Sequence, residues 1–494
     1  MAGKGMKSDV IQYERTYQRL KHKIECGILP VGTKLPGRAV LCREFGTSER
    51  TIRRALELLE QDGFLEIAPR KRPTVISAFA SPAGRALQNM KPAEAAQVND
   101  LMQTANLLCY PIYLRGLRLC ASEDWHIPET ILDNMDPNRP DEFWRIASRL
   151  WRFFIARNEN ELLLRVVDSL GFQGKEPLQG SLEDRVRYRL HIETMFQSIK
   201  SGGTPKQAQL DALFSQYQAI AKQTDKLHYL RMRSPCPMLA EGLGQQLSMA
   251  QERYSSVCLD LLGLIAIGRY QPGDHLPTHD QLQQYYGISR DTSVKAVRML
   301  QNWGVVTAAP RRGISVVMDL AALQKIQITP ESIACHVRRY LDSLDLLSLT
   351  VGRAAAHAAG YVPLKDAQRL REAIVRQWEQ PYEHQLIPRT LLNFLTEHIQ
   401  YDALRSVYEV LARNLSIGRS IPKLVSRDKN PLNCGIYQLC LEAADTLIHG
   451  DIVRLAAVTA ELFAQVQSLV VSECKRLGYW DAATRVYDGA SLWQ

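Results

Sequence analysis

Residues Ile24–Pro36 read IECGILPVGTKLP, and residues Ile265–Pro277 read IAIGRYQPGDHLP. Each stretch has a glycine, a second glycine five residues later and then Leu-Pro, so that Leu35 and Leu276 lie 241 residues apart at equivalent places. The same offset continues without a gap through Val316, over about sixty positions. Agreement in one register over that length indicates an internal duplication.

Each copy predicts three helices. In the first copy, apolar residues at helical spacing predict an opening helix: Tyr13, Tyr17, Leu20 and Ile24. Gly27 suits the left-handed residue that follows a helix. Residues 38–45 predict a short second helix that Gly46 ends, and Ser48 is placed to cap a third helix.

The third helix combines an apolar stripe with a basic face. The stripe recurs at i, i+3, i+4 and i+7: Ile52, Ala55, Leu56 and Leu59. The polar and basic residues at its start and off the stripe are the candidates for DNA contact in the first copy: Ser48, Arg50, Thr51, Arg53 and Arg54. The candidates in the second copy are Ser289, Arg290, Thr292 and Lys295.

A basic hairpin is predicted after each third helix. Residues 64–68 and 74–77 are short apolar segments on either side of the tip PRKRP. The tip residues Arg70, Lys71 and Arg72 are further candidates for DNA contact, as are Arg311 and Arg312 in the second copy. A charged turn alone would be an ordinary solvated surface, but basic tips in both copies favour phosphate contact.

Three helices followed by a basic hairpin is the plan of the winged helix-turn-helix. The major groove of DNA admits one α-helix, whose N-terminal residues can reach base edges. The hairpin, or wing, can place arginine and lysine beside phosphates. Within that complete pattern, we interpret the basic residues as DNA contacts.

At these residues the sequence resembles the GntR family of bacterial regulators. The resemblance rests on I-x-x-G, P-x-G or P-G, x-L-P, G-x-S, T-x-x-x-A and the L-x-x-x-G that precedes the wing. It implies a DNA-binding head followed by an effector-binding or dimerising domain. The long regions that follow each copy have mostly helical patterns and resemble the all-helical type of that domain, called FCD or FadR-like.

Both copies depart from the family pattern. The family's L-P-S-E-R, whose arginine contacts DNA, is replaced by LPGRA at residues 35–39 and by LPTHD at residues 276–280. The family's S-R-x-T-V-R has Glu49 in place of its first arginine in the first copy, and Val294 in place of its last arginine in the second. Each head therefore has only part of the family's contact set.

The resemblance also raises the question of a metal site, because many FCD domains bind a metal through an aspartate and three histidines. The segments that match the family's F-H-x-x-L are 150–154 and 391–395, neither of which contains histidine, and Tyr188 and Tyr437 stand where another family histidine would be. We therefore predict no metal and no cofactor, and we assign no effector-binding residues.

Composition is consistent with this interpretation. The chain of 494 residues has a net charge of +9, which permits binding to a polyanion without proving it. The N-terminus lacks the apolar core of a secretory signal, and no long apolar run predicts a membrane span. The 10 cysteines are scattered without a C-x-x-C pair, as in a reducing cytoplasm. No catalytic motif occurs, so an enzyme is not expected.

We therefore predict a mainly α protein with two winged helix-turn-helix domains, each followed by an all-helical bundle. The expected parts are head 1 at 8–78, bundle 1 at 95–230, a linker at 231–249, head 2 at 250–318 and bundle 2 at 325–482. The predicted function is a cytoplasmic, sequence-specific bacterial transcription regulator, such as a repressor. Its two heads would bind double-stranded DNA as a pseudo-dimer. A homodimer and an unidentified small-molecule effector stay open. The alternative is a DNA-associated architectural protein whose bundles recruit a partner.

Overall fold

A computed structural model gives the fold of most of the chain. It describes residues 13, 16, 17, 19–21, 23–45, 47–69, 71–77, 91–170, 181–203, 229–232, 253–266, 268–309, 312–323, 330–380, 383–421, 424 and 429–486. The chain divides into two compact units, one ending at residue 239 and the other spanning 240–488. The first unit contains head 1 and bundle 1, and the second contains head 2 and bundle 2.

Head 1 has the predicted winged helix-turn-helix fold. Helix α1 has its described helical residues between 13 and 25 and is followed by α2 (Arg38–Phe45) and α3 (Glu49–Gln61). Strands β1 (Leu65–Glu66) and β2 (Thr74–Val75) pair antiparallel to form the wing.

The core of head 1 consists of the apolar residues that the sequence pattern selects. Its fully or almost fully buried members come from all three helices and from the wing: Leu20, Ile24, Leu35, Leu41, Ile52, Ala55, Leu56, Leu59, Phe64 and Val75. Because the buried stripe of α3 faces this core, the opposite face of α3 is left in solvent.

Bundle 1 is helical. Its described helices are α4 (Ala95–Leu119), α5 (His126–Asp133), α6 (Pro140–Ala156), α7 (Glu161–Ser169) and α8 (Leu182–Lys200). Helices α4 and α6 cross closely at Gly116, where a Cβ would lie 1.9 Å from the carbonyl oxygen of Phe154. That crossing requires glycine.

A small sheet at the edge of bundle 1 was not predicted. Strand β3 (Lys91–Glu94) pairs antiparallel with β4 (Tyr229–Met232). The sequence pattern placed the start of bundle 1 at 95 and the start of the linker at 231, and it indicated neither of these strands. The remainder of that predicted linker, residues 233–249, lies outside the described residues.

Head 2 repeats the three helices and two wing strands of head 1 in the same order and adds one strand. Its first helix is α9 (Arg253–Ala266), and strand β5 (His275–Leu276), helix α10 (His279–Tyr286) and helix α11 (Arg290–Asn302) follow. Strands β6 (Val306–Ala309) and β7 (Gly313–Val316) complete a sheet of order β5-β7-β6.

The wing of head 1 is shorter than the wing of head 2. Ile314 in β7 pairs with Ala308 on one side and Leu276 on the other. The same offset puts Pro73 at this place in head 1, and proline has no N–H to donate to a ladder. The wing of head 1 accordingly has only two residues in each strand, and Lys34 and Thr74 form a single bridge where head 2 has β5.

Bundle 2 contains longer helices. A short helix, α12 (Leu320–Leu323), precedes it. Its helices are α13 (Pro330–Ala359), α14 (Leu364–Glu379), α15 (Ile387–Glu397), α16 (Asp402–Leu415), α17 (Pro431–His449), α18 (Ile452–Arg476) and α19 (Tyr479–Val486). Two 3₁₀ turns, Glu383–Leu386 and Ser416–Ser420, join consecutive helices.

Helix α18 is the one helix in the described part of the chain that is long and apolar enough, by length and composition, to cross a membrane. Its buried residues recur on one side from Leu455 to Cys474, while Glu461 and Gln465 lie on its exposed side. It packs lengthwise against α13. A helix with one buried face and one polar face suits the core of a helical bundle.

Candidate nucleic-acid interface

The third helix of each head begins with the same capping geometry. Ser48 has φ −74° and ψ 157°, and its hydroxyl accepts a hydrogen bond from the backbone N–H of Thr51. Ser289 has φ −75° and ψ 158°, and its hydroxyl accepts from the N–H of Thr292. Both Oγ–N distances are 3.3 Å. The predicted caps are therefore present, and the two helices start with matching backbone directions.

The predicted basic residues of α3 lie in solvent. Arg50, Arg53 and Arg54 are all exposed. Arg53 Nε lies 3.8 Å from Glu57 Oε1, and Arg54 Nη1 lies 3.3 Å from Glu57 Oε2. Exposed pairs of this kind contribute about 0–1 kcal/mol, so these arginines can leave Glu57 for a phosphate or a base at little cost.

The predicted threonines are less accessible than the arginines. Thr51 is only 2% exposed, and its hydroxyl lies 2.9 Å from Ser48 Oγ. Thr292 is half-buried and makes the same contact with Ser289. In the free protein, these hydroxyls support the helix caps. Ser48 and Ser289 themselves are exposed.

A cation–π contact occurs in both heads, and sequence reasoning missed it. The Arg54 guanidinium lies 5.9 Å from the centre of the Tyr13 ring, and Lys295 Nζ lies 5.4 Å from the centre of the Tyr254 ring. The two aromatic residues are related by the 241-residue offset, and so are the two cationic residues. The offset could therefore have identified the second contact from the first. Each contact holds a cation on the side of the third helix that faces the first helix.

The wing tips are basic and exposed where they are described. Lys71, Arg72 and Arg312 are exposed, while Arg70 and Arg311 lie outside the described residues. The N–H of Lys71 bonds the carbonyl oxygen of residue 68, and the N–H of Arg312 bonds that of residue 309, each at 3.1 Å. The next residue differs: Gly313 has φ +78°, whereas Arg72 is not among the described residues with positive φ. The glycine allows a tight turn that arginine disfavours.

Residues at the start of the second helix also reach the third helix. In head 1, Arg38 Nη1 lies 4.0 Å from Glu49 Oε1. In head 2, His279 takes the place of Arg38, and its Nδ1 lies 2.8 Å from Ser293 Oγ. These positions lie within the segments that depart from L-P-S-E-R, and their contacts were not predicted from the sequence.

Comparison with protein-family models identifies the repeated unit. The model for bacterial regulatory proteins of the gntR family matches residues 12–75 and again residues 253–316. The chain carries two GntR-family DNA-binding domains in tandem. The predicted resemblance is confirmed, as is the winged helix-turn-helix fold of both GntR domains.

Comparison with solved structures finds GntR regulators, and comparison with curated proteins finds no match. A GntR protein from Streptococcus agalactiae is 16% identical, with 44% of this chain and 99% of that chain covered and a TM-score of 0.20. A putative GntR regulator from Rhodococcus sp. RHA1 is 16% identical, with 45% and 99% covered and a TM-score of 0.23. McbR/YncC from E. coli is 18% identical, with 45% and 98% covered and a TM-score of 0.23. The assignment rests on the two matches to the family model.

The first GntR domain is attached to bundle 1 by a buried ion pair. Arg152 Nε of α6 lies 3.2 Å from Glu25 Oε2 of α1, and Arg152 is only about one-twentieth exposed. The Cys26 thiol donates to the backbone carbonyl of Arg152. Gly27 follows with φ +85°, and a Cβ there would lie 3.0 Å from Arg149 Nη2. The positive φ favours glycine here, and any larger residue would also have to displace the end of the Arg149 side chain.

The second GntR domain is attached to bundle 2 through different residues. Asp260 of α9 accepts a hydrogen bond from the Tyr286 hydroxyl at 2.7 Å and another from Arg419 Nη2 at 2.6 Å. Arg419 belongs to the 3₁₀ turn Ser416–Ser420 of bundle 2. Burial and the nearby Asp260 carboxylate raise the pKa of Tyr286, so this hydroxyl stays protonated and donates.

The bundles have aromatic rings at the positions compared with family histidines. Trp151 Nε1 donates to the Tyr188 hydroxyl at 2.6 Å in the interior of bundle 1. In bundle 2, the rings of Tyr437 and Trp378 stack with centroids 4.3 Å apart. Among the described side chains, no group of three or more His, Cys, Asp or Glu residues is arranged to hold a metal ion.

Proposed function

We propose that this protein is a sequence-specific transcription regulator whose two GntR domains read two half-sites of one operator. The observation that carries the proposal is that an exposed basic third helix and an exposed basic wing occur twice, on matching Ser48 and Ser289 caps. Helices that enter the major groove present such N-terminal faces to base edges, while basic wings neutralise phosphates.

The proposed DNA contacts are the predicted polar and basic residues other than Thr51. Those that the structure describes are exposed or half-buried, and Arg70 and Arg311 lie outside the described residues. Head 1 would use Ser48, Arg50, Arg53, Arg54, Arg70, Lys71 and Arg72, and head 2 would use Ser289, Arg290, Thr292, Lys295, Arg311 and Arg312. Thr51 is now assigned to support of the cap, because it is buried and hydrogen bonded to Ser48.

The domain organisation belongs to the same proposal. Heads at 8–78 and 250–318 act as a pseudo-dimer, so the two half-sites need not be identical. The helical bundles at 95–230 and 325–482 sense an effector or form a homodimer. We further propose that the protein is cytoplasmic and acts as a repressor in a bacterium.

Selection of bound sequences from a random duplex pool tests the proposal. The full chain would be compared with Arg53→Ala, Lys295→Ala and the control Arg369→Ala, which removes one exposed charge from bundle 2. Two enriched half-sites would support the pseudo-dimer if each head variant reduces the base preference of one half-site and the control variant changes neither. Enrichment of one half-site that responds only to Arg53→Ala would leave head 2 without base recognition. Binding without enrichment, which fades as salt rises, would refute sequence-specific regulation.

One observation favours the alternative, a DNA-associated architectural protein. Glu49 places a negative charge at the exposed N-terminus of α3, where the family has arginine, and DNA phosphates would repel it wherever it does not pair with a base. In that case head 1 would bind loosely, and its bundle would recruit a partner. A small ratio between the affinities for selected and random DNA would identify this case.

A further inference from the structure

The two third helices begin with residues of opposite charge. Glu49 opens α3 and Arg290 opens α11, and each directly follows the capping serine. The caps differ by only a degree in φ and in ψ, so both side chains start from equivalent backbone positions. The difference between the two heads at this place is therefore one of side-chain chemistry.

Both side chains are available to a ligand. The Glu49 side chain is 73% exposed, and its one ion-pair partner in the described part of the chain is Arg38, at 4.0 Å. Arg290 is exposed and has no ion-pair partner among the described residues. His279, which replaces Arg38 in head 2, is turned away toward the fully buried Ser293.

Helix stability does not explain this exchange. The N-terminus of a helix has a partial positive charge, which favours glutamate there and disfavours arginine. Glu49 therefore suits its helix, whereas Arg290 opposes the dipole of α11. The adjacent Asp291 supplies the negative charge that the first turn of α11 would otherwise lack.

The two residue types read complementary bases. A glutamate carboxylate accepts a hydrogen bond from the N4 amino group of cytosine, whereas an arginine guanidinium donates two hydrogen bonds to O6 and N7 of guanine. We propose that Glu49 and Arg290 are specificity-determining residues. They make head 1 read cytosine at the base position of its half-site where head 2 reads guanine in the other half-site. This inference rests on the proposed function. It makes the operator asymmetric, with half-sites that differ at this position.

Arg38 is a positioning residue in this scheme. Its guanidinium lies 4.0 Å from the Glu49 carboxylate, and its positive charge can offset the repulsion between that carboxylate and the DNA phosphates. Arg38→Ala should therefore weaken the preference for cytosine in half-site 1. It should leave the base preference of half-site 2 unchanged.

Exchanging the charges tests the proposal. Glu49→Arg should change the preferred base of half-site 1 from cytosine to guanine, by about tenfold in relative affinity, and should leave half-site 2 unchanged. Arg290→Glu should make the opposite change in half-site 2 alone. Glu49→Gln, which keeps the shape of the side chain, should move the preference toward adenine.

A charge-matched control separates base reading from general attraction. Glu66→Arg makes the same change in charge on an exposed residue of β1, outside α3, and should alter affinity without altering any base preference. Circular dichroism of each variant would show that it is folded. If the wild type selects no site, the proposed function fails, and this inference fails with it. If the wild type selects two half-sites but Glu49→Arg and Glu66→Arg have the same uniform effect, this inference alone is refuted.

Discussion

Asp260 offers a quantitative test of how the second GntR domain is attached to its bundle. It receives hydrogen bonds from Tyr286 of the same domain and from Arg419 of bundle 2. The change Asp260→Asn keeps the size and an acceptor oxygen, so Tyr286 can still donate. It removes the negative charge and leaves the Arg419 guanidinium, whose side chain is 13% exposed, without its carboxylate.

The expected magnitude follows from the burial of this pair. Removing one partner of a fully buried ion pair costs about 3–5 kcal/mol, whereas breaking an exposed pair costs about 0–1 kcal/mol. Because the Asp260 side chain is 28% exposed, we expect an intermediate loss of about 2–3 kcal/mol. Asp445→Asn is the matched control. Asp445 accepts from Arg371 at 2.7 Å, but both side chains are more than 40% exposed, so the loss should stay below about 1 kcal/mol.

Amide hydrogen exchange in the full chain is the appropriate assay, because it measures the free energy of local opening helix by helix. Asp260→Asn should lower the opening free energy of α9 and α10 while leaving head 1 unchanged. Asp445→Asn should leave α9 and α10 unchanged. Equal losses in the two variants, or a loss in Asp260→Asn below about 1 kcal/mol, would refute the view that this partly buried ion pair holds the domain on its bundle.

Three further predictions concern other parts of the chain. Gly116→Ala should destabilise the unit that contains bundle 1 by about 3 kcal/mol or more, because its Cβ would collide with the carbonyl of Phe154 at 1.9 Å; an unchanged melting temperature would contradict this. Burial, with a smaller effect of Arg339, lowers the pKa of His336 from 6.5 to about 4, so the unfolded chain binds a proton between these values that the folded chain does not. Stability should fall by up to about 3 kcal/mol as pH falls through that window, and His336→Asn should flatten this dependence in denaturation curves at pH 7 and pH 5. Lys71→Ala should reduce the slope of log K against log salt by about 1 without changing base preference, and an unchanged slope would exclude a phosphate contact.

Much of each GntR domain could be predicted from sequence because its determinants are local. Ser48 and Ser289 cap helices through neighbours three residues away, and the buried stripe of α3 follows from helical periodicity. The duplication also allowed one copy to support the interpretation of the other. The wing of head 1 was predicted as a hairpin, and Pro73 accounts for its short strands.

The features that were missed depend on contacts between residues far apart in sequence. The strand at 91–94 contains Pro92 and resembles a connection, and only its pairing with 229–232 identifies it as a strand. Thr51 is polar and lies at the start of α3, as a residue facing the DNA groove would, yet the packing of α3 buries it. In each ion pair that joins a head to its bundle, the two partners lie more than 120 residues apart in sequence. No local sequence pattern therefore indicates these pairs.

The presence of both GntR domains in one polypeptide has a consequence for binding at low protein concentration. Two separate single-headed chains must first meet, so their bivalent form is lost on dilution. In the proposed pseudo-dimer, once one head is bound, the other searches at an effective concentration that the length and stiffness of the chain between the heads determine. Where the operator spacing lets both heads bind together, occupancy should therefore depend on the first power of protein concentration. A cell could then maintain bivalent control with few copies of the protein.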